Sequence, residues 1–451
     1  MRHMSELQHQ GRSLSRFSLL GLLLLCALLP RPAAATEKAP SLAVGPELRL
    51  PGDPVEIRIE GLDPGRTVTI SASRFNARRQ REYRSAATFI ADPAGTVDLS
   101  RDAPVAGPWA GVDPRGLFWS MKSVEAEVES ETPWSVARIA ADVDADGVPD
   151  LEAEIDLRAS IAAERFVKIP MGDAHPGAFL MRPEGSDPLP VVIALGGSEG
   201  GDRSARFIAP RLAAHGYAVL GLPYYSPGGR GSEPQFPDLP QAFNELPLEK
   251  LEQARDWLLQ RDDIDHEHIG IWGVSKGAEF ALAGASRIEG FAAIAAIVPS
   301  DVNWQGWGVQ QASSSFSWRG EALPFVPYLG MGQEFDKGRR GQAVRLRLPH
   351  DAGRLANPER AEAGRIAVEQ IAAPVLVVGG DEDNTWDSGG MARNIAERRE
   401  AAGLETVLFV DTKTGHFLSG EGIDPDPEAD AKLQAQAFAG MLEFFGRYLK
   451  E

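Results

Sequence analysis

Apolar and polar positions follow two different rhythms along this chain, and the change falls near residue 160. From Thr36 to about Arg158, short alternating runs sit between Pro, Gly and Asp clusters. Val55–Ile59, Val68–Ser71, Ala86–Ile90, Gly95–Leu99 and Ala153–Leu157 read as strands, with Gly61-Leu-Asp-Pro-Gly65 as one of the turns. Regular short strands without a helical period predict an all-β, immunoglobulin-like sandwich over residues 36–160. From Glu164 onward the strands become continuous apolar runs: Val191–Leu195, Ala218–Leu222, Ile269–Trp272, Ala292–Val298, Val375–Val378 and Thr406–Val410. Helix-like segments separate them, including Ser204–His215, stopped by Gly216, and Leu248–Gln260, with Leu248, Leu251, Ala254 and Leu258 on one face. Strands buried on both faces and alternating with helices predict an α/β domain over residues 161–451. Between Pro299 and about Pro358 the alternation fails, and a lid-like insertion is expected.

The third of these six runs leads into Gly273-Val-Ser275-Lys-Gly277, and Ala278, Ala281, Leu282 and Ala285 follow at helical spacing. Strand, sharp turn and helix in this order predict a nucleophile elbow that lifts the Ser275 hydroxyl clear of the sheet. A chance Gly-x-Ser-x-Gly in a Gly-rich chain is the bland alternative, and the placement argues against it. A serine hydroxyl needs a base and an orienting acid, here in the order Ser, acid, His. His416, in Thr414-Gly-His416 after the last strand, is the expected base, since the only other His beyond Ser275 is His350 in the insertion. The acid lies in Asp381-Glu-Asp383, with Asp383 preferred and Asp381 in reserve. Oxyanion donors are expected from the backbone N–H of Lys276 and from Gly197, in the Gly196-Gly-Ser-Glu-Gly-Gly201 loop. That loop lacks the Lys-Ser/Thr of a phosphate-binding Walker motif.

The insertion carries Trp304, Trp307, Phe316, Trp318, Phe325 and Tyr328, together with Arg339, Arg340, Arg345 and Arg347. Trp304, Trp307, Arg339 and Arg340 are the candidate substrate contacts, against the alternative of a cap packed on its own aromatics. Asp142-Val-Asp144-Ala-Asp146-Gly resembles the front of a calcium loop, but Ala153 stands where a bidentate Glu is expected. Asp-Gly is also a hairpin turn, and the turn is the favoured reading over Ca²⁺. No other metal or cofactor is expected.

Composition narrows the setting. Residues 1–35 combine Arg2, Arg12 and Arg16, the apolar run Phe17–Leu29 and Ala33-Ala34-Ala35, the three parts of a secretory signal peptide. Their removal leaves no expected membrane span and points to a periplasmic or secreted protein; an uncleaved anchor is the alternative. The single cysteine, Cys26, lies in that segment, so the mature chain has no thiol nucleophile, disulfide or zinc thiolate site. The formal charge is −18, and it becomes about −21 without residues 1–35, which carry four Arg and one Glu. So acidic a chain is not expected to bind nucleic acid.

Several stretches have a common likeness: Ala103–Gly107 and Gly111–Met121 in the first half, and Gly216–Tyr225, Gly273–Glu279, Trp386 and Gly415-His416 in the second. Together they resemble the acyl-CoA thioesterases and bile acid-CoA:amino acid N-acyltransferases. The resemblance runs from about Ser41 to the C-terminus. It implies attack by Ser275 on an acyl thioester, an acyl-enzyme, and hydrolysis to free acid and coenzyme A, with coenzyme A entering only as part of the substrate. Counting back from Trp386 maps the family's acid to Asp383, with Asp381 still open. Members that conjugate amino acids tend to carry Cys as nucleophile, so Ser275 favours water as acceptor. An exported carboxylester hydrolase, an acyl-CoA-dependent N-acyltransferase and a non-catalytic binding module are the alternatives.

Overall fold

The computed structural model describes residues 39–45, 55–76, 81–125, 132–133, 135–157, 166–228, 233–416 and 427–451. The expected leader, Met1–Ala35 with Cys26, lies outside the described residues.

The N-terminal half forms two antiparallel sheets. One pairs Ser41–Gly45, Glu56–Glu60 and Val97–Asp98; the other orders Lys122–Glu125, Arg81–Ile90, Thr67–Asn76, Val136–Asp142 and Leu151–Asp156. Alternation does the sorting: Ile57 and Ile59 are buried while Glu56 and Arg58 face out. They share one core with Val68, Ile70, Phe89, Trp109 and Ile139. Val136–Asp142 and Leu151–Asp156 are joined by the Asp142–Asp150 turn. There the Asp142, Asp144 and Asp146 ligand atoms lie within 4.8 Å of one another. Asp142 and Asp146 side chains accept backbone N–H groups of the turn, and Ala153 sits in the following strand. This is how a hairpin turn uses its carboxylates.

The second half is built on one eight-stranded sheet. In chain order its strands are β1 Phe166–Pro170, β2 Phe179–Pro183, β3 Leu189–Leu195, β4 Ala218–Gly221, β5 Ile264–Val274, β6 Ala293–Ile297, β7 Val375–Gly380 and β8 Thr406–Asp411. Their spatial order is β8-β7-β6-β5-β3-β4-β2-β1; β2 pairs antiparallel with both β4 and β1, and every other adjacent pair is parallel. Covering helices include α1 Arg203–Ala213, α2 Glu249–Leu258 and α3 Lys276–Ala285. The insertion adds α4 Met331–Arg339 and α5 Arg347–Ala356, α6 Pro358–Ala363 follows it, and α7 Ser388–Ala401 and α8 Pro427–Leu449 come last. This is an α/β-hydrolase fold. Successive β3 residues serve opposite faces: Val191, Ile193 and Leu195 join one core, Val192 and Ala194 the other. That explains why the strand reads as continuously apolar.

The six expected strands all form, but β1 and β2 were not foreseen. They contain Lys168, Arg182 and two prolines, so their runs are short and interrupted. The insertion is also more ordered than its sequence rhythm implies. Phe316–Trp318 pairs with Leu246–Pro247 in parallel and with Glu321–Ala322 antiparallel.

Candidate active site

The turn from β5 into α3 is sterically forced. Ser275 has φ 56° and ψ −121°, a backbone region that side chains strain to occupy. A Cβ on Gly273 would collide with the Gly277 carbonyl, and one on Gly277 with the Gly196 and Leu195 carbonyls. Both flanks of the serine therefore require glycine.

Three side chains from three strand ends meet here. Ser275 Oγ lies 3.0 Å from His416 Nε2, and His416 Nδ1 lies 2.7 Å from Asp383 Oδ2. A carboxylate only accepts, so Nδ1–H donates to Asp383, leaving Nε2 to accept the serine hydroxyl. Asp383 is fully buried, and its Oδ1 accepts the N–H groups of Thr385 (2.7 Å) and Trp386 (3.2 Å). Asp381, the reserve acid, points elsewhere and makes a two-pronged bridge to Arg393 on α7 at 2.7 and 2.9 Å. The Trp386 ring meets His416 edge-on at 5.5 Å, and its indole N–H donates to the Val298 carbonyl at 3.2 Å. His350, from α5, packs edge-on to Trp386, Trp304 and Tyr328. Burial pushes its imidazole down to about 4, so it is neutral near pH 7.

Lys276 opens α3, where backbone N–H groups lack helical partners. Gly197 lies beside the serine: a Cβ on it would be 3.2 Å from Ser275 Cβ. Its N–H donates to Glu199 Oε1 at 3.1 Å, and that oxygen also accepts the Ser204 hydroxyl. Glu199 was not foreseen; its position in the Gly196–Gly201 loop was the available signal.

The Lys276 side chain was also missed as a feature. Its ammonium is buried, donates to Glu279 Oε2 (2.5 Å) and Ser315 Oγ (2.8 Å), and lies 5.1–5.8 Å from the Phe316, Phe243 and Trp307 ring centroids. Glu279 Oε1 accepts the Trp304 N–H at 3.0 Å. Burial lowers the Lys276 pKa and raises that of Glu279, and each partner's charge opposes the shift of the other. The spacing of three along a helix was visible in the sequence, but its burial was not.

Among the insertion residues, Trp304 is 1% exposed and its indole N–H is held by Ser300 Oγ at 2.8 Å, so it packs as core. Trp307 is half-buried and stacks on Phe243 at 4.3 Å. Arg339 and Arg340 lie exposed at the end of α4, where both engage Asp336. It is Arg347 that reaches the acid loop, donating to the Asp381 carbonyl and pairing with Asp387 at 2.9 Å. Among the described residues no helix is long and apolar enough to cross a membrane.

Comparisons with known proteins cover both halves. The acyl-CoA thioester hydrolase/BAAT N-terminal region matches residues 52–165, and the BAAT/acyl-CoA thioester hydrolase C-terminal region matches residues 246–420. The dienelactone hydrolase family matches residues 177–312. Mouse acyl-coenzyme A thioesterase 5 is 28% identical over 88% of this chain and 94% of its own length. Mouse acyl-coenzyme A thioesterase 6 is 29% identical over 91% and 97%, and mouse mitochondrial acyl-coenzyme A thioesterase 2 is 27% identical over 91% and 89%. With both halves matched in the same order, this chain belongs to the acyl-CoA thioester hydrolase/BAAT family.

Proposed function

We propose that this enzyme is a serine hydrolase that cleaves acyl-CoA thioesters to free acid and coenzyme A through a Ser275–His416–Asp383 triad. The observation that carries the reading is the continuous hydrogen-bonded line from Ser275 Oγ through His416 to buried Asp383. The names of its relatives supply the substrate class.

His416 Nε2 takes the proton as Ser275 Oγ attacks the thioester carbonyl, and Asp383 stabilises the resulting imidazolium. The carbonyl oxygen, now negative, is held by the N–H groups of Lys276 and Gly197. The C–S bond then breaks, and His416 passes its proton to the departing thiolate. Water, deprotonated by His416, attacks the acyl-enzyme and releases the acid and free Ser275. The N-terminal segment, read as a leader, supports an exported enzyme.

The test is turnover of the purified mature chain on palmitoyl-CoA and on p-nitrophenyl esters of graded length. Coenzyme A release should exceed ester cleavage, and Ser275→Ala should lower it by about 10⁴-fold or more. Ester cleavage without coenzyme A release would replace the thioester by a carboxylic ester. Loss of neither activity in Ser275→Ala would remove the triad.

A further inference from the structure

The Gly197 N–H, one of the two donors assigned above to the oxyanion, already has an acceptor. Gly200 N–H donates to the Gly197 carbonyl at 3.3 Å, closing a tight turn, and Gly200 and Gly201 both have positive φ (67° and 64°). Glycines tolerate that geometry, and the turn folds residue 199 back over residue 197. As a result the Glu199 carboxylate sits on the Gly197 N–H at 3.1 Å and takes the Ser204 hydroxyl from the first turn of α1. A Cβ on Gly197 would lie 2.8 Å from Glu199 Oε2 and 3.2 Å from Ser275 Cβ. Carboxylate and nucleophile thus flank the same glycine.

One N–H cannot serve a carboxylate oxygen and a developing oxyanion together, and the two negative charges would repel each other in a partly dry site. The Glu199 side chain is exposed, so it has solvent to swing into.

We infer that Glu199 is a displaceable plug of the oxyanion site. Without substrate its carboxylate satisfies the Gly197 N–H and holds the loop in shape. The substrate carbonyl turns it out before Ser275 attacks, and the carboxylate returns when the acid leaves. The inference rests on the proposed triad and adds a residue that sets the threshold for productive binding. It competes with the carbonyl rather than the acyl chain, so its effect is the same factor for short and long substrates.

The test uses the rate of inactivation by an alkyl fluorophosphonate, whose phosphoryl oxygen must enter the same hole. Wild type, Ser275→Ala, Glu199→Gln and Glu199→Ala are compared on the full chain, with thermal unfolding to check folding. Glu199→Ala should react about ten-fold faster than wild type, the size of one charge-assisted hydrogen bond no longer in competition. Glu199→Gln, a neutral and weaker acceptor of the same shape, should fall between. A purely loop-holding role predicts the reverse: Glu199→Ala slower and Glu199→Gln unchanged. Labelling at Ser275 with no gain in either folded variant overturns the plug and leaves the triad standing. Absence of labelling in wild type and in both Glu199 variants overturns the nucleophile assignment, and the plug with it.

Discussion

Ser275 carries the sharpest physical demand on any one residue. Its φ of 56° with ψ −121° is glycine territory, and holding a side chain there costs about 1–3 kcal/mol. The neighbouring glycines cannot relax it, because a Cβ at either would strike a backbone carbonyl. Ser275→Gly should therefore be more stable than Ser275→Ala by about 1 kcal/mol, even after glycine's extra unfolded-state entropy. Both should be inactive. Thermal unfolding of the two variants side by side reads this directly, and equal midpoints would mean the turn is unstrained.

At the scale of elements, α3 both follows directly on Ser275 and anchors the insertion. The Lys276–Glu279 pair, fully enclosed, reaches Ser315 through the ammonium and the Trp304 N–H through the carboxylate. Removing one charge leaves the other buried and unpaired, which costs far more than the pair contributes. Lys276→Met should lower stability by about 3 kcal/mol in urea unfolding. The double variant Lys276→Met/Glu279→Gln should recover most of it, since a neutral amide still accepts from Trp304. A double variant no better than Lys276→Met would mean the loss came from packing in the aromatic cage. The elbow itself was legible in sequence, because strand, Gly-x-Ser-x-Gly and Ala-rich helix are contiguous. The buried pair was not, because burial of Lys276 depends on Phe243, Trp307 and Phe316, which are distant in the chain.

At the scale of the whole molecule, the N-terminal sheets touch the helix that steadies the histidine. Asp430 on α8 accepts the Gly415 N–H at 2.8 Å, one residue before His416. Its neighbour Ala431 is buried in the core of the N-terminal sheets, and the Ala431 carbonyl accepts from Arg115 at 2.7 Å. Arg115→Ala should cost about 1.5 kcal/mol of stability, the usual scale for a bond from a charged donor. It should also lower kcat with KM unchanged, since the contact bears on His416 and not on substrate. Urea unfolding and steady-state turnover test both, and unaltered kcat would confine the N-terminal half to a scaffold.

Local sequence determined the change of rhythm near residue 160, six of the eight strands of the large sheet and the elbow at Ser275, each written within a window of a few residues as a hydrophobic period or a turn that only glycine permits. His416 was expected from its place after the last strand and because His350, in the insertion, is the only other histidine beyond Ser275. The edge strand β1 and its neighbour β2 escaped because charged and proline residues interrupt their short runs. Trp304, Trp307, Arg339 and Arg340 looked alike as insertion residues, yet folding buries Trp304 and leaves both arginines on the surface. Asp381 and Asp383 lie two residues apart, and pattern preferred Asp383 while leaving Asp381 open. Folding turns one to Arg393 and the other to His416. The placing of Glu199 on the Gly197 N–H likewise belongs to the tertiary structure alone. A carboxylate's partner is set by where the backbone aims it, and that aim depends on chain segments far away in sequence.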